Sequence, residues 1–224
     1  MIKEVFTYNK KIYEYNLASL SWGNLSAYDN KKKIIYIKPS GVNIYKIKPK
    51  DISVYCLKRK KVISGLKPSV DLKIHIEIYK NFESIKSICH THSKFGTIFS
   101  QLQKPIKCIG TTHADHFLGD ITITNDIKKK EILNNYEQNT GKLIVDQINK
   151  MKFKNSGGTL LRNHGPFCWG ETPKKAFENS LVLEQSAEMY YYSLLINKKK
   201  INISKDLIDF HFTRKNGIKK KYGQ

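Results

Sequence analysis

Short runs rich in β-branched residues, closed by turn residues or followed by helical periodicity, recur along the 224-residue chain and restrict it to a mixed architecture. Residues 34–37 read as a strand stopped by Pro39, Ser40 and Gly41. Residues 52–57 and 61–63 flank a basic turn and form a hairpin, while residues 85–92 read as a strand rich in β-branched residues. Residues 106–109 and 159–161 complete the strands. Helical spacing of apolar positions covers residues 3–15, 70–81, 94–102 and 174–197. Residues 126–152 form one long helix or two short ones, with Gly141 as the weak point. Strands and helices alternate irregularly, which predicts an α/β or α+β class. No repeat, linker or composition break divides the chain, so one domain is expected.

No apolar run approaches the roughly 18 residues of a membrane span, and the opening residues lack the apolar core of a leader. The expected setting is cytoplasmic, with no membrane partner. Cys56, Cys89, Cys108 and Cys168 are widely spaced, without a Cys-x-x-Cys pair, and are expected as reduced thiols. Forty Lys plus Arg against 19 Asp plus Glu give a net charge of +21, which invites a nucleic-acid reading. The lysines, however, lie in separate short runs, Arg59, Arg162 and Arg214 are the only arginines, and Lys, Ile and Asn dominate as in AT-rich coding. Surface drift explains the charge better than a nucleic-acid partner does.

The strongest chemical signal is His90-Thr91-His92, at the end of the run 85–92. Residues i and i+2 of a strand share a face, so the two imidazoles can share one metal; two polar histidines of a folded interior are the plain alternative. His164, in a turn after the short strand 159–161, and Asp71, at the start of a helix, extend the pair to three imidazoles and one carboxylate. Zinc is the commonest fit to such nitrogen-rich ligation. Three turns around Gly23-Asn24, Lys38-Pro39-Ser40-Gly41 and Pro68-Ser69 combine glycine with hydroxyl, amide or ammonium groups. They suit an anion through exposed backbone N–H groups, or are ordinary turn chemistry. Asp115 reads as a general base near the metal or as a helix cap.

Six ordered stretches carry a resemblance. They are Trp22-Gly23-Asn24-Leu25-Ser26-Ala27, Ile37-Lys38-Pro39-Ser40-Gly41-Val42, His90-Thr91-His92-Ser93, Gly110-Thr111-Thr112-His113-Ala114-Asp115, His164-Gly165-Pro166-Phe167 and Tyr222-Gly223-Gln224. Together they resemble the class II aldolase and epimerase family, its sugar-phosphate 4-epimerases in particular. The resemblance implies a single α/β domain over residues 1–224, with a mostly antiparallel central sheet flanked by helices. It implies a Zn2+ held by Asp71, His90, His92 and His164, and a phosphate site at Gly23, Asn24, Ser40, Gly41, Ser69 and Val70, with Lys38 close by. Aldolases of the family carry Glu where Asp71 stands, which favours an epimerase. The match departs at Val70, where a second serine is usual, at Asn216, where a histidine is usual, and at Lys220-Lys221.

The same resemblance implies a phosphorylated ketopentose as substrate and epimerisation at C4 by breaking and remaking the C3–C4 bond, with Asp115 and Tyr222 as proton acceptor and donor. It implies a homotetramer in which residues 205–224 reach a neighbouring subunit. His211 and Arg214 match positions that orient substrate, and Thr111 and Glu137 match positions that support Asp115 or the metal. The rival readings are an aldolase acting on a deoxysugar phosphate and a basic metal-binding module with nucleic-acid affinity.

Overall fold

A computed structural model describes residues 1–154, 157–197 and 201–217. The elements in chain order are α1 (Ile2–Glu14), β1 (Asn24–Asp29), β2 (Ile34–Ile37), β3 (Ser53–Cys56), β4 (Lys61–Ser64), α2 (Leu72–Asn81), β5 (Ser87–His90), α3 (Lys94–Gln101), α4 (Thr111–Ala114), β6 (Thr122–Ile123), α5 (Lys129–Leu133), α6 (Tyr136–Asn149), β7 (Gly157–Leu161), β8 (Gly165–Gly170), α7 (Pro173–Ile196) and α8 (Lys205–Asn216). Among the described residues the strands form one eight-stranded sheet in the order β4-β3-β2-β1-β5-β8-β7-β6. Every pairing is antiparallel except β6 with β7.

Alternation of side chains sends each strand's residues to two separate cores. Ile35, Ile37, Ile88, Phe167 and Trp169 pack against Leu72, Ile74 and Ile78 of α2 and Ile144 and Ile148 of α6. On the opposite face Leu25, Ala27 and Cys89 meet Val5 and Ile12 of α1 and Ala176 and Phe177 of α7. A third cluster joins Phe99 of α3 to Leu160, Cys168 and Leu183. The result is a three-layer, single-domain α/β fold, as expected from the resemblance. No described helix is long and apolar enough to cross a membrane.

The structure corrects several element assignments. Residues 24–26, read as part of a turn, begin β1. Its Asn24 and Ser26 are buried along with Leu25 and Ala27, so both faces of the strand are covered and no exposed face marks it. Residues 165–170 form β8, despite Pro166 and two glycines, because both faces of this central strand are covered. Residues 106–109 are not a strand: a single bridge joins Ile106 to Ile121, and Asp120 takes the Cys108 N–H and the Lys107 ammonium. The helical stretch breaks at Asn135, in left-handed backbone, and not at Gly141. Gly141 lies inside α6, where a Cβ would come within 2.7 Å of Glu77 Cβ; the missing side chain lets α6 approach α2. α8 escapes the periodicity reading because only Phe212 of its residues is buried. The basic runs 198–200 and 219–221 lie outside the described residues.

Helix α3, which follows His92, has no N-cap side chain of its own. Its first N–H groups at Phe95 and Gly96 donate to the two carboxylate oxygens of Glu184 on α7, each at 2.8 Å. An anion at that terminus also meets the positive end of the helix dipole. Glu184→Ala is expected to lower the unfolding free energy by about 2 kcal/mol in urea denaturation. An unchanged midpoint would contradict this capping role.

Candidate active site

Strand register builds the site. Asn24 of β1 lies opposite His90 of β5, and His90 lies opposite Phe167 of β8, so three neighbouring strands bring these residues abreast at one end of the sheet. His90 is 1% exposed. Its Nδ1 lies 3.0 Å from the Pro166 carbonyl, which can only accept, so Nδ1 carries the proton and Nε2 is left bare. The Phe167 ring stacks on the imidazole with centroids 4.1 Å apart, holding its plane.

His92 follows the end of β5. His164 occupies the tight β7–β8 connection, where Asn163 adopts left-handed backbone and the His164 N–H returns to the Leu161 carbonyl. The three ring centroids are mutually 4.9 Å apart, and one nitrogen from each ring lies within 4.8 Å of the others. Nε2 of His164 is 3.1 Å from Nε2 of His90. Burial pushes all three pKa values down, His90 most, and the neighbouring His164 ring adds to this for His90 and His92. The bare Nε2 of His90, oriented by a backbone carbonyl, and one nitrogen from each neighbouring ring converge, and three such neutral imidazoles can serve as donors to a divalent metal.

Asp71 borders the same cleft from the start of α2. Its Oδ2 accepts from Asn24 Nδ2 at 2.7 Å and lies 3.5 Å from Ser69 Oγ, while Asn24 Nδ2 also reaches Ser69 Oγ at 3.3 Å. The remaining polar turns line the same cleft. A bridge between Pro39 and Pro68 holds the Ser40-Gly41 and Ser69-Val70 turns side by side. Gly23 has positive φ, and a Cβ there would stand 2.9 Å from the His90 carbonyl. Lys38 is 2% exposed and donates to the Ser21 carbonyl at 2.8 Å; burial lowers its pKa to about 8, partly countered by Asp71. All these groups line one cleft of about 240 Å³.

Asp115, Thr111, Glu137, His211 and Arg214 do not line it. Asp115 instead joins α8. Its Oδ1 lies 3.0 Å from His211 Nδ1 and 3.4 Å from an Arg214 guanidinium nitrogen, and its backbone carbonyl accepts from Asn216 at 2.9 Å. Next to it, Lys215 donates to His116 Nε2 at 3.1 Å, and His116 Nδ1 donates to Asn179 Oδ1 at 3.3 Å. Thr111 opens α4, where its carbonyl accepts the Asp115 N–H. Glu137 lies in the first turn of α6. Tyr222 lies outside the described residues.

Two cleft residues had no assigned part in the sequence reading. Ser21 supplies the carbonyl that fixes Lys38, and a backbone acceptor carries no sequence signal. Trp22, half-exposed, sets its ring 5.8 Å from that of His92. His75, fully buried below the floor, was also passed over, although its i+4 spacing from Asp71 places both on one face of α2.

The three-layer fold thus sets three convergent histidines, which could hold a metal ion, in a polar, hydroxyl-lined cleft at one end of the sheet. The chain belongs to the family of the class II aldolase and adducin N-terminal domain, which matches residues 3–191. Among solved structures it is similar to an L-fuculose 1-phosphate aldolase, at 23% identity over 92% of each chain with a TM-score of 0.76. An L-fuculose 1-phosphate aldolase from Glaciozyma antarctica PI12 aligns at 21% identity over 95% of this chain and 80% of its own, with a TM-score of 0.77. YgbL from Escherichia coli aligns at 21% identity over 93% and 96%, with a TM-score of 0.74. These likenesses establish the fold.

Burial also lowers the pKa values of His75, His113 and His116, to about 3, about 4 and about 4; Lys175 and Lys215 add to the effect at His116. The unfolded chain binds protons at these rings near pH 6.5, and the folded chain does not. Their contribution therefore destabilises the fold as pH drops below about 6.5, by about 1.4 kcal/mol per pH unit for each ring until its folded pKa is reached. Urea denaturation of metal-free protein between about pH 7.5 and about pH 4.5 should show this decline. A flat profile would contradict the neutral burial of these rings.

Proposed function

We propose that the protein is an L-ribulose-5-phosphate 4-epimerase, interconverting L-ribulose 5-phosphate and D-xylulose 5-phosphate. The observation that carries this reading is the convergence of the His90, His92 and His164 imidazoles in one cleft that Asp71 and two hydroxyl-bearing turns also line. Asp71, His90, His92 and His164 would hold the ion, and zinc suits that donor set. A bound divalent ion supplies Lewis acidity toward the ketose carbonyl and its neighbouring hydroxyl.

The chain's own residues do the rest. Ser40, Gly41, Ser69 and Val70 bind the phosphate with Gly23 and Asn24, and the Lys38 ammonium balances its charge. Asp115 accepts the C4 hydroxyl proton as the C3–C4 bond breaks. The electron pair of that bond moves onto the three-carbon fragment, leaving glycolaldehyde phosphate as an aldehyde. Rotation of this fragment about its anchored phosphate presents the other face, the bond re-forms, and Tyr222 returns a proton to the C4 oxygen. His211 and Arg214 orient the Asp115 carboxylate, and Thr111 and Glu137 take supporting roles on the substrate side. Asp115 and α8 form one hydrogen-bonded unit outside the cleft of their own chain. We infer that segment 205–224 with Tyr222 reaches the cleft of a neighbouring copy in a homotetramer, and that Asp115, bonded to α8, serves that same cleft.

Zinc-loaded protein given L-ribulose 5-phosphate should form D-xylulose 5-phosphate without free glycolaldehyde phosphate. Accumulating aldehyde would identify an aldolase, and neither product would favour a basic metal-binding module. His92→Ala should lose the ion and slow turnover by more than about 100-fold; full metal content in that variant would remove His92 from the ligands. Ser69→Ala should raise KM by about 5-fold with little change in kcat. Tyr222→Phe should keep the ion and epimerise slowly, and unchanged turnover would exclude the tyrosine from proton transfer.

A further inference from the structure

Beneath the cleft runs a buried polar chain that the reaction above does not use. Ser26 Oγ lies 2.6 Å from His75 Nδ1 and 2.7 Å from Tyr79 OH, and all three residues are buried. When the Tyr79 hydroxyl donates to Ser26, the single Ser26 proton goes on to Nδ1 of His75. That order places the imidazole proton on Nε2, and Nε2 has no hydrogen-bond partner among the described residues. A buried donor left unpaired costs about 1–3 kcal/mol, and folded proteins rarely leave one so.

The surroundings of the ring say what the donor is for. His75 lies one helical turn after Asp71, and its backbone N–H donates to the Asp71 carbonyl at 3.1 Å. Asp71 offers its Oδ2 to Asn24 and Ser69, which leaves Oδ1 for other partners. On its other side the His75 ring meets Phe167 edge-on, with centroids 6.2 Å apart, and Phe167 is the ring stacked on His90.

We propose that His75 is a positioning residue of the metal centre: its Nε2–H, fixed by the Tyr79–Ser26 chain, orients the Asp71 carboxylate through one water, and its ring backs Phe167 against His90. The inference rests on the metal reading of the cleft. Ligand carboxylates are commonly held by such outer donors, and loss of one typically weakens metal binding by about 10–100-fold.

The test uses full-length protein and Zn(II) in competition with a chelator, alongside the thermal midpoint of the metal-free protein and 15N spectra of its histidine rings. Wild-type protein should show the His75 proton on Nε2. His75→Phe should weaken zinc binding by about 10–100-fold without lowering the metal-free midpoint, and His75→Gln, which keeps an N–H donor, should restore most of the affinity. A proton on Nδ1, a His75→Phe variant that binds as wild type does, or loss of affinity in step with the midpoint in both variants would overturn the positioning role. Wild-type protein that binds no zinc would overturn the metal reading and this role with it. If His75→Phe does not fold, the ring spectra and His75→Gln still decide.

Discussion

One hydrogen bond, from His90 Nδ1 to the Pro166 carbonyl, ties the site to the sheet. It crosses from β5 to β8, selects the tautomer that leaves Nε2 bare, and operates where β1, β5 and β8 come level. A slip of one residue in the β1–β5 register would turn His90 away from Asn24 and into the α1–α7 face. The Asn24–Asp71 contact, and through it the Ser69 turn, depends on that register.

The electrostatics of the cleft run against those of the whole chain. A protein of net charge +21 surrounds a site whose three imidazoles are kept neutral by burial, with Asp71 as the carboxylate beside them. Lys38 is a cation held nearly out of water, with the Ser21 carbonyl as its hydrogen-bond partner. That desolvation lowers its pKa, with Asp71 opposing the shift. In the proposed reading, a phosphate dianion entering the cleft would stabilise the ammonium again and offset the cost of burying the lysine.

Much of this arrangement was legible in the sequence, for physical reasons that differ by element. The helices α1, α2, α3 and α7 each bury a stripe that periodicity finds, β2 is rich in β-branched residues, and β3 and β5 sit within longer runs that Ile52 and Val54, and Ile85, Ile88 and Thr91, mark as strands. β1 and β8 are covered on both faces and carry Asn, Ser, Pro and Gly, which hides a central strand behind the composition of a turn. The His-x-His spacing and the three polar turns give the cleft. What spacing does not contain is which distant side chains a residue will meet. Asp115 follows a recognisable motif, yet it is bonded to α8, some 100 positions away in sequence, and only tertiary packing reveals that partnership. The orphaned Nε2 of His75 is likewise invisible until Ser26 and Tyr79 are brought to it.

The claim on which the rest depends is that the cleft holds one divalent ion on Asp71, His90, His92 and His164. X-ray absorption at the zinc edge, on protein loaded with one equivalent, tests it most directly. The account predicts three imidazole nitrogens and carboxylate oxygen at about 2.0–2.2 Å. A sulfur scatterer near about 2.3 Å, or fewer than three imidazoles, would contradict it.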